Sequence, residues 1–162
     1  MIKINPRLLL NPVHLLSLGF GSGCAPKAPG TMGTLVGILF YLPLQSLALP
    51  YYVVVVVLLS LAGVWLCGQT ARALNVHDHP GIVWDEIVGY LLTMVAAPSG
   101  WAWILLGFVL FRIFDIWKPW PIGLLDKKLK GGLGVMADDL LAGIFSLTIM
   151  HITAYILYRY NI

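Results

Sequence analysis

Residues 51–73 form a long apolar run that opens with Tyr51-Tyr52 and continues with five valines, and this run limits the possible folds more than anything else in the chain. A helix needs roughly 20 apolar residues to cross the hydrocarbon core of a bilayer. Valine runs also occur in strands, but the strands of a closed membrane barrel alternate apolar and polar residues. Because this run does not alternate, it predicts a membrane-spanning helix.

Four further apolar segments lie at about 33–49, 84–97, 101–117 and 138–158. Charged residues make up only 10% of the chain, whereas a soluble domain carries roughly 25%. This composition excludes an ordinary soluble enzyme, and a net charge of +3 is too small to indicate a nucleic-acid partner. The pattern predicts an all-α fold, a small integral membrane helical bundle of about four to five hydrophobic helices, some short or partly embedded, in one domain over residues 1–162.

Two segments precede these helices. Residues 1–18 are interrupted by Asn11-Pro12 and His14, so they lack the continuous apolar core of a signal peptide and are predicted to form an interfacial N-terminal segment. Residues 19–33 are rich in glycine and predict a loop whose backbone can approach a ligand closely, with Thr31 capping the next helix. From this stretch alone, a loop that contacts a ligand and a turn that merely needs glycine for its backbone conformation are equally consistent with the sequence.

All seven carboxylates fall between residues 78 and 139. They are Asp78, Asp85, Glu86, Asp115, Asp126, Asp138 and Asp139. Charge near a bilayer is costly, so such a cluster indicates a functional site. If the N-terminus is cytoplasmic and each segment crosses once, every basic residue except Arg159 also lies on or near the cytoplasmic side, as the positive-inside rule expects. The carboxylates and the basic residues then share one cytoplasmic face.

The first acidic motif, residues 77–89 (HDHPGIVWDEIVG), places Asp85 and Glu86 at the start of the third helix. One acid there is explained by the electrostatic preference of helix N-termini for negative charge. Adjacent helical residues point about 100° apart, so the two carboxylates can serve different partners, for example a metal and a water or basic group.

The second motif, residues 111–121 (FRIFDIWKPWP), places Arg112, Asp115 and Lys118 on one face near the end of the fourth helix. A local ion-pair ladder at the membrane interface explains the same spacing. In the third motif, residues 131–143 (GGLGVMADDLLAG), flexible glycines are predicted to lead into a helix headed by Asp138-Asp139. Capping explains one of these aspartates, whereas a divalent cation relieves the repulsion between both.

Together the three motifs predict a metal site. Its candidate ligands, which are also the candidate catalytic residues, are Asp85, Glu86, Asp115, Asp138 and Asp139. Oxygen ligands with few imidazoles suit Mg²⁺ or Mn²⁺, and Arg112, Lys118 and Lys27 would supply positive charge for a phosphate. Asp78, His79 and Thr31 are candidate supporting residues. This combination favours phosphoryl transfer by an activated water, with an aspartyl-phosphate intermediate as the alternative.

The glycine-rich stretch and the three acidic motifs, in this order, resemble the phosphatidylglycerophosphatase A family of bacterial membranes from about Asn11 to Gly143. The resemblance implies Mg²⁺-dependent removal of the terminal phosphate of phosphatidylglycerophosphate, giving phosphatidylglycerol, at the bacterial inner membrane. It places the acidic motif positions of the family on the same five carboxylates, with Lys118 between them.

Three alternatives stay open at this point. A small cation transporter would place its acids in mid-span, whereas these lie at predicted helix ends beside basic residues. A membrane scaffold without catalysis gives no reason for confining all the acids to one region. A phosphatase acting on another lipid phosphate would use the same residues.

Overall fold

The computed structural model describes residues 4–76, 79–124 and 129–160 and contains no β-strand among them. Short 3₁₀ turns at Pro6–Leu10 and Gly19–Cys24 flank the first helix. The helices are α1 (Pro12–Ser17), α2 (Pro29–Leu44), α3 (Leu49–Leu74), α4 (Trp84–Thr93), α5 (Trp101–Trp117) and α6 (Gly131–Tyr160). The predicted all-α fold is confirmed, and each of the five apolar segments overlaps one of the helices α2 to α6.

Two predicted helix starts are wrong. Helix α2 begins at Pro29, after Ala28 in a left-handed conformation (φ 46°), so Thr31 lies inside the first turn and does not cap it. Proline suits the first helical position because it has no N–H to leave unpaired and its φ is already helical. Helix α6 begins at Gly131, which has a left-handed conformation (φ 69°), so Gly132 and Gly134 of the predicted flexible lead-in are helical and Asp138 lies about two turns inside the helix.

Helix α4 is the centre of the bundle and packs against α2, α3, α5 and α6. Eight of its ten residues are buried, which fits a helix that is apolar on nearly every side. The Tyr52 hydroxyl of α3 donates to the Leu91 carbonyl (2.8 Å), and the Tyr90 hydroxyl of α4 donates to the Ile104 carbonyl of α5 (3.2 Å). These two bonds connect the α4 helix to its neighbours on two sides.

Glycines let the long helices approach closely. A Cβ at Gly132 of α6 would lie 1.8 Å from the carbonyl oxygen of Val64 on α3, and a Cβ at Gly143 would lie 2.7 Å from the carbonyl oxygen of Gly89 on α4. Small residues at such crossings are typical of membrane helices, whose association depends on close van der Waals packing. The crossings fix the relative positions of α3, α4 and α6.

We expect Gly132→Ala to lower the free energy of unfolding by about 2 kcal/mol or more, because the added methyl meets backbone atoms that have no rotamer to move to. The matched control is Gly68→Ala on α3, where the nearest atom to a new Cβ is 3.3 Å away, so its effect should be much smaller. Denaturation of both variants in detergent, followed by circular dichroism, checks this. Equal stability of the two variants would contradict the predicted clash.

Helices α3 and α6 are long and apolar enough to cross a membrane, with mean hydropathies of 2.2 and 1.9. Only 22% of the most apolar stretch of each is buried, so their remaining apolar side chains face outwards. Soluble monomers rarely expose apolar patches larger than a few hundred Å². The structure therefore fits a small helical membrane protein in which α4, with ten residues, is enclosed by longer helices.

Candidate active site

Four helices contribute to one cavity of about 280 Å³. The start of α2, the start of α4, the end of α5 and the third turn of α6 meet there. The lining residues are Ala28, Pro29, Gly30, Pro80, Ile82, Asp85, Glu86, Arg112, Asp115, Ile116, Lys118, Asp138 and Asp139. The cavity thus brings together all five carboxylates and two of the three cations that the sequence motifs predicted.

Three carboxylates form the centre of this cavity. Asp85, Glu86 and Asp139 each offer an oxygen within 4.8 Å of the others. The crossing of α4 and α6 explains why. Asp85 precedes Gly89 by one helical turn, Asp139 precedes Gly143 by one turn, and those two glycines touch. The glycine crossing therefore sets the spacing of the acidic side chains.

These carboxylates are poorly solvated. Asp85 and Asp139 are buried, and Asp85 Oδ1, Glu86 Oε2 and Asp139 Oδ2 have no hydrogen-bond partner among the described residues. Burial, followed by the nearby charges of Glu86 and Asp139, raises the pKa of Asp85 well above its usual range. Burial also raises the pKa of Glu86 to about 7. Buried oxygens without partners are costly, and this arrangement could bind a ligand that carries positive charge.

The two cations lie at the rim of the triad. Arg112 donates to Asp115 one helical turn away on α5. Lys118 has a left-handed conformation (φ 43°) at the end of α5, and its Nζ pairs with Asp138 on α6. Arg112 and Asp115 thus form the local ion pair that the spacing of this motif suggested, whereas Lys118 pairs with a residue of another helix.

The remaining predicted residues lie elsewhere. Lys27 is exposed, and neither it nor Thr31 appears among the described lining residues of the cavity. His79 is buried in the loop before α4, where its Nδ1 accepts a hydrogen bond from the Gly81 N–H (3.0 Å). It shapes that loop and is not one of the lining residues described. Asp78 lies outside the described residues.

Sequence reasoning missed Gly30. A Cβ at this position would lie 2.3 Å from Glu86 Oε1 and 3.1 Å from Arg112 Nη1, so glycine lets α2 approach both side chains in their present positions. Gly33 and Gly37 follow on the same face and press α2 against Val83 and the Ile87 backbone. The spacing of the glycines at 30, 33 and 37 could have indicated this contact, because residues three and four apart lie on one face of a helix, and a face of glycines allows a neighbouring element to pack closely.

A sequence profile described as Phosphatidylglycerophosphatase A matches residues 15–154. The chain belongs to the phosphatidylglycerophosphatase A family. This match spans every residue that lines the cavity. By membership of this family, the chain is a phosphatase.

Individual relatives agree with this placement. Proteins named phosphatidylglycerophosphatase A from Escherichia coli (strain K12) and Haemophilus influenzae are 49% and 47% identical to the chain. The first alignment covers 87% of this chain and 83% of the relative, and the second covers 91% of each. A Bacteroides thetaiotaomicron protein, provisionally named a phosphatidylinositol-3-phosphatase, is 36% identical over 88% of this chain and 94% of its own length. No solved structure matches the chain.

Proposed function

We propose that this member of the phosphatidylglycerophosphatase A family is a Mg²⁺-dependent phosphatidylglycerophosphatase. It hydrolyses the terminal phosphate of phosphatidylglycerophosphate and releases phosphatidylglycerol and inorganic phosphate. One observation carries the proposal: a buried carboxylate triad lies beside two cations in a single cavity, in a chain closely similar to two proteins named for this reaction.

The donor set supports magnesium as the cofactor. Asp85, Glu86 and Asp139 provide hard oxygen ligands within 4.8 Å of one another, and Mg²⁺ prefers carboxylate oxygens and water. Their oxygens without hydrogen-bond partners are those that a dication would engage. Asp115, within hydrogen-bond reach of Asp139, and Asp138 complete the predicted ligand set. When bound, Mg²⁺ would supply Lewis-acid charge for the phosphate oxygens and acidify a nearby water.

Arg112 and Lys118 are suited to hold the phosphate. Both side chains line the cavity and carry charge that a phosphate dianion would share with Asp115 and Asp138. The Arg112 side chain is held by its ion pair with Asp115, one turn along α5. The Lys118 side chain extends from the end of that helix to Asp138 on α6. Two cations in the same cavity would help to fix the orientation of the phosphate group for attack.

The hydrolytic step needs a water molecule and a base. A water oxygen attacks phosphorus while the bond from phosphorus to the glycerol oxygen breaks. A cavity carboxylate takes one proton of the water, and the departing glycerol oxygen takes a proton from a cavity carboxylic acid or from bulk water to become the hydroxyl of phosphatidylglycerol. An aspartyl-phosphate intermediate is the alternative, and acid quenching during turnover would trap it on the protein if it formed.

The same geometry supports a proposal for the location. Gly68 near the end of α3 contacts Gly132 near the start of α6, so these two helices run in opposite directions and place Arg72 and Lys130 at one end. The acidic cavity lies towards that end. Because basic residues mark the cytoplasmic side, we place the multi-pass chain in the bacterial inner membrane with its active site facing the cytoplasm.

Phosphate release from a panel of lipid monoesters, with and without a chelator, tests the proposal. We expect phosphatidylglycerophosphate to give the highest kcat/KM and the chelator to abolish turnover. Phosphatidylinositol 3-phosphate belongs in the panel because of the name of the Bacteroides relative. A clear preference for that lipid would show that it is the substrate instead. Unchanged turnover in the presence of the chelator would show that the reaction does not need a metal.

Metal binding should depend on pH. Since burial raises the pKa of Glu86 from 4.5 to about 7, the folded protein without metal holds a proton there that the unfolded chain has lost. Its stability should therefore fall as pH rises between these two values. Mg²⁺ must displace that proton, so its apparent affinity should weaken by up to about tenfold per pH unit below about pH 7.

Thermal unfolding of the purified protein across this range, with and without Mg²⁺, measures both effects. The stabilisation by Mg²⁺ should grow with increasing pH, and Glu86→Gln should flatten that dependence. An affinity for Mg²⁺ that does not change with pH would contradict the predicted proton release.

A further inference from the structure

A shallow, open pocket lies on the outer face of α5, beside the carboxylate cavity, and all of its described lining residues belong to this helix. It has a volume of about 420 Å³ and is lined by Phe108, Val109, Arg112, Ile113, Ile116 and Trp117. We call it the α5 groove. Arg112 and Ile116 also line the carboxylate cavity, so the groove and the active site adjoin at these two side chains.

We propose that the α5 groove holds an acyl chain of the lipid substrate, so that the substrate enters the active site sideways from the bilayer. This inference rests on the proposed function and specifies how the lipid is positioned. From Trp117 back to Phe108 the groove rises about 13 Å along the helix axis. One leaflet of the hydrocarbon core is roughly 15 Å deep. The groove therefore extends from the phosphate-binding end across most of one leaflet.

The side chains fit this occupant. Apart from Arg112 at the junction, all the lining residues are apolar. Ile113 is 47% exposed and Trp117 is 74% exposed, so the face is open to whatever surrounds the bundle. A phospholipid combines an apolar acyl chain with a charged headgroup, so a chain lying in the groove would bring that headgroup beside Arg112, where the groove meets the carboxylate cavity. The continuity of the two cavities favours the substrate over an unrelated lipid.

The groove would act mainly by alignment. An acyl chain is already in hydrocarbon before it reaches the protein, so moving into an apolar groove gains little transfer free energy. A chain held along α5 instead limits where its headgroup can lie, and a misplacement of about 1 Å can cost roughly 10²-fold in rate. Disturbing the groove should therefore lower kcat/KM for long-chain lipids and spare substrates without long chains.

The first test fills the groove with Ile113→Trp. We expect kcat/KM for dihexadecanoyl phosphatidylglycerophosphate in mixed micelles to fall about tenfold, while the dibutanoyl analogue changes by less than about twofold. The matched control is Ile152→Trp on α6, which is 53% exposed and is not among the described residues that line either cavity. This control should leave both substrates unchanged.

A second variant tests the direction of the chain. Val109 lies one helical turn deeper than Ile113, about 6 Å farther along the axis. Val109→Trp should impair the dihexadecanoyl lipid but spare a dihexanoyl lipid, whereas Ile113→Trp should impair both. A photoreactive acyl chain on a lipid phosphate should label residues 108–117 in the wild-type protein, which gives a readout independent of turnover.

The outcomes separate the two proposals. Equal losses of Ile113→Trp on the dihexadecanoyl and dibutanoyl lipids, no loss on either, or photolabelling confined to another helix would overturn the acyl groove. A shift from dimer to monomer in Ile113→Trp would assign the face to a second copy of the chain and also overturn it. If the wild-type protein prefers a different lipid monoester, the proposed function is wrong, and the same variants assayed on that lipid still decide the groove.

Discussion

Replacing Asp139 by asparagine is expected to lower phosphate release by about 10³-fold or more, because the change removes one carboxylate of the buried triad. The side chain keeps its shape and loses only its charge. The protein should stay folded, and without metal it should be at least as stable as the wild type. One of several buried carboxylates has gone, and with it part of the cost of burying these groups together.

Metal binding distinguishes this expectation from damage to the fold. Thermal stabilisation by Mg²⁺ should be lost in Asp139→Asn along with turnover. The control is Ser146→Ala, a buried position two turns farther along α6 whose hydroxyl donates to the Ala142 carbonyl (2.8 Å). Its activity should stay within about twofold of the wild type. Undiminished turnover in Asp139→Asn would show that the Asp139 carboxylate is not needed for the reaction.

The acidic cluster could be predicted from the sequence because a chain this apolar has few physical reasons to carry charge. Asp85, Asp115 and Asp139 are scattered along the sequence but share one property, a carboxylate next to an apolar helix. Such groups are costly unless a partner compensates for them, so their convergence was the simplest expectation. The cavity that contains all five predicted carboxylates agrees with that reasoning.

Other features depend on contacts that the local sequence does not encode. The start of α6 at Gly131 depends on the packing of Gly132 against α3, whereas isolated glycines favour a loop. The choice of Asp138 as the partner of Lys118 depends on how α5 ends and where α6 passes. The exposure of Lys27 was equally unpredictable, because a basic residue near a glycine-rich stretch suits either a ligand or solvent.

The contact between α2 and the site gives the second large effect that we expect. Gly30→Ala should lower kcat by about 10²-fold or more, since the new Cβ would lie 2.3 Å from Glu86 Oε1. The atoms that it meets are the ends of the Glu86 and Arg112 side chains, which can turn away. The fold should therefore survive while the carboxylate and the guanidinium leave their positions.

The same substitution at Gly37 is the matched control. Gly37 lies two turns farther along α2, and a Cβ there would lie 3.2 Å from the Tyr90 ring, away from the carboxylates. Alanine also favours a helix over glycine by up to about 1 kcal/mol, which offsets part of the crowding at either position. Gly37→Ala should thus keep activity within about threefold of the wild type, with a stability similar to that of Gly30→Ala.

Measuring kcat, KM and thermal stability for both variants separates the two roles of this helix face. If α2 only packs against α4, the two alanine variants should lose activity in proportion to lost stability. If the start of α2 also sets the position of Glu86 and Arg112, Gly30→Ala should lose turnover and Mg²⁺ stabilisation while remaining folded. Full activity in Gly30→Ala would show that neither side chain needs its present position for the reaction.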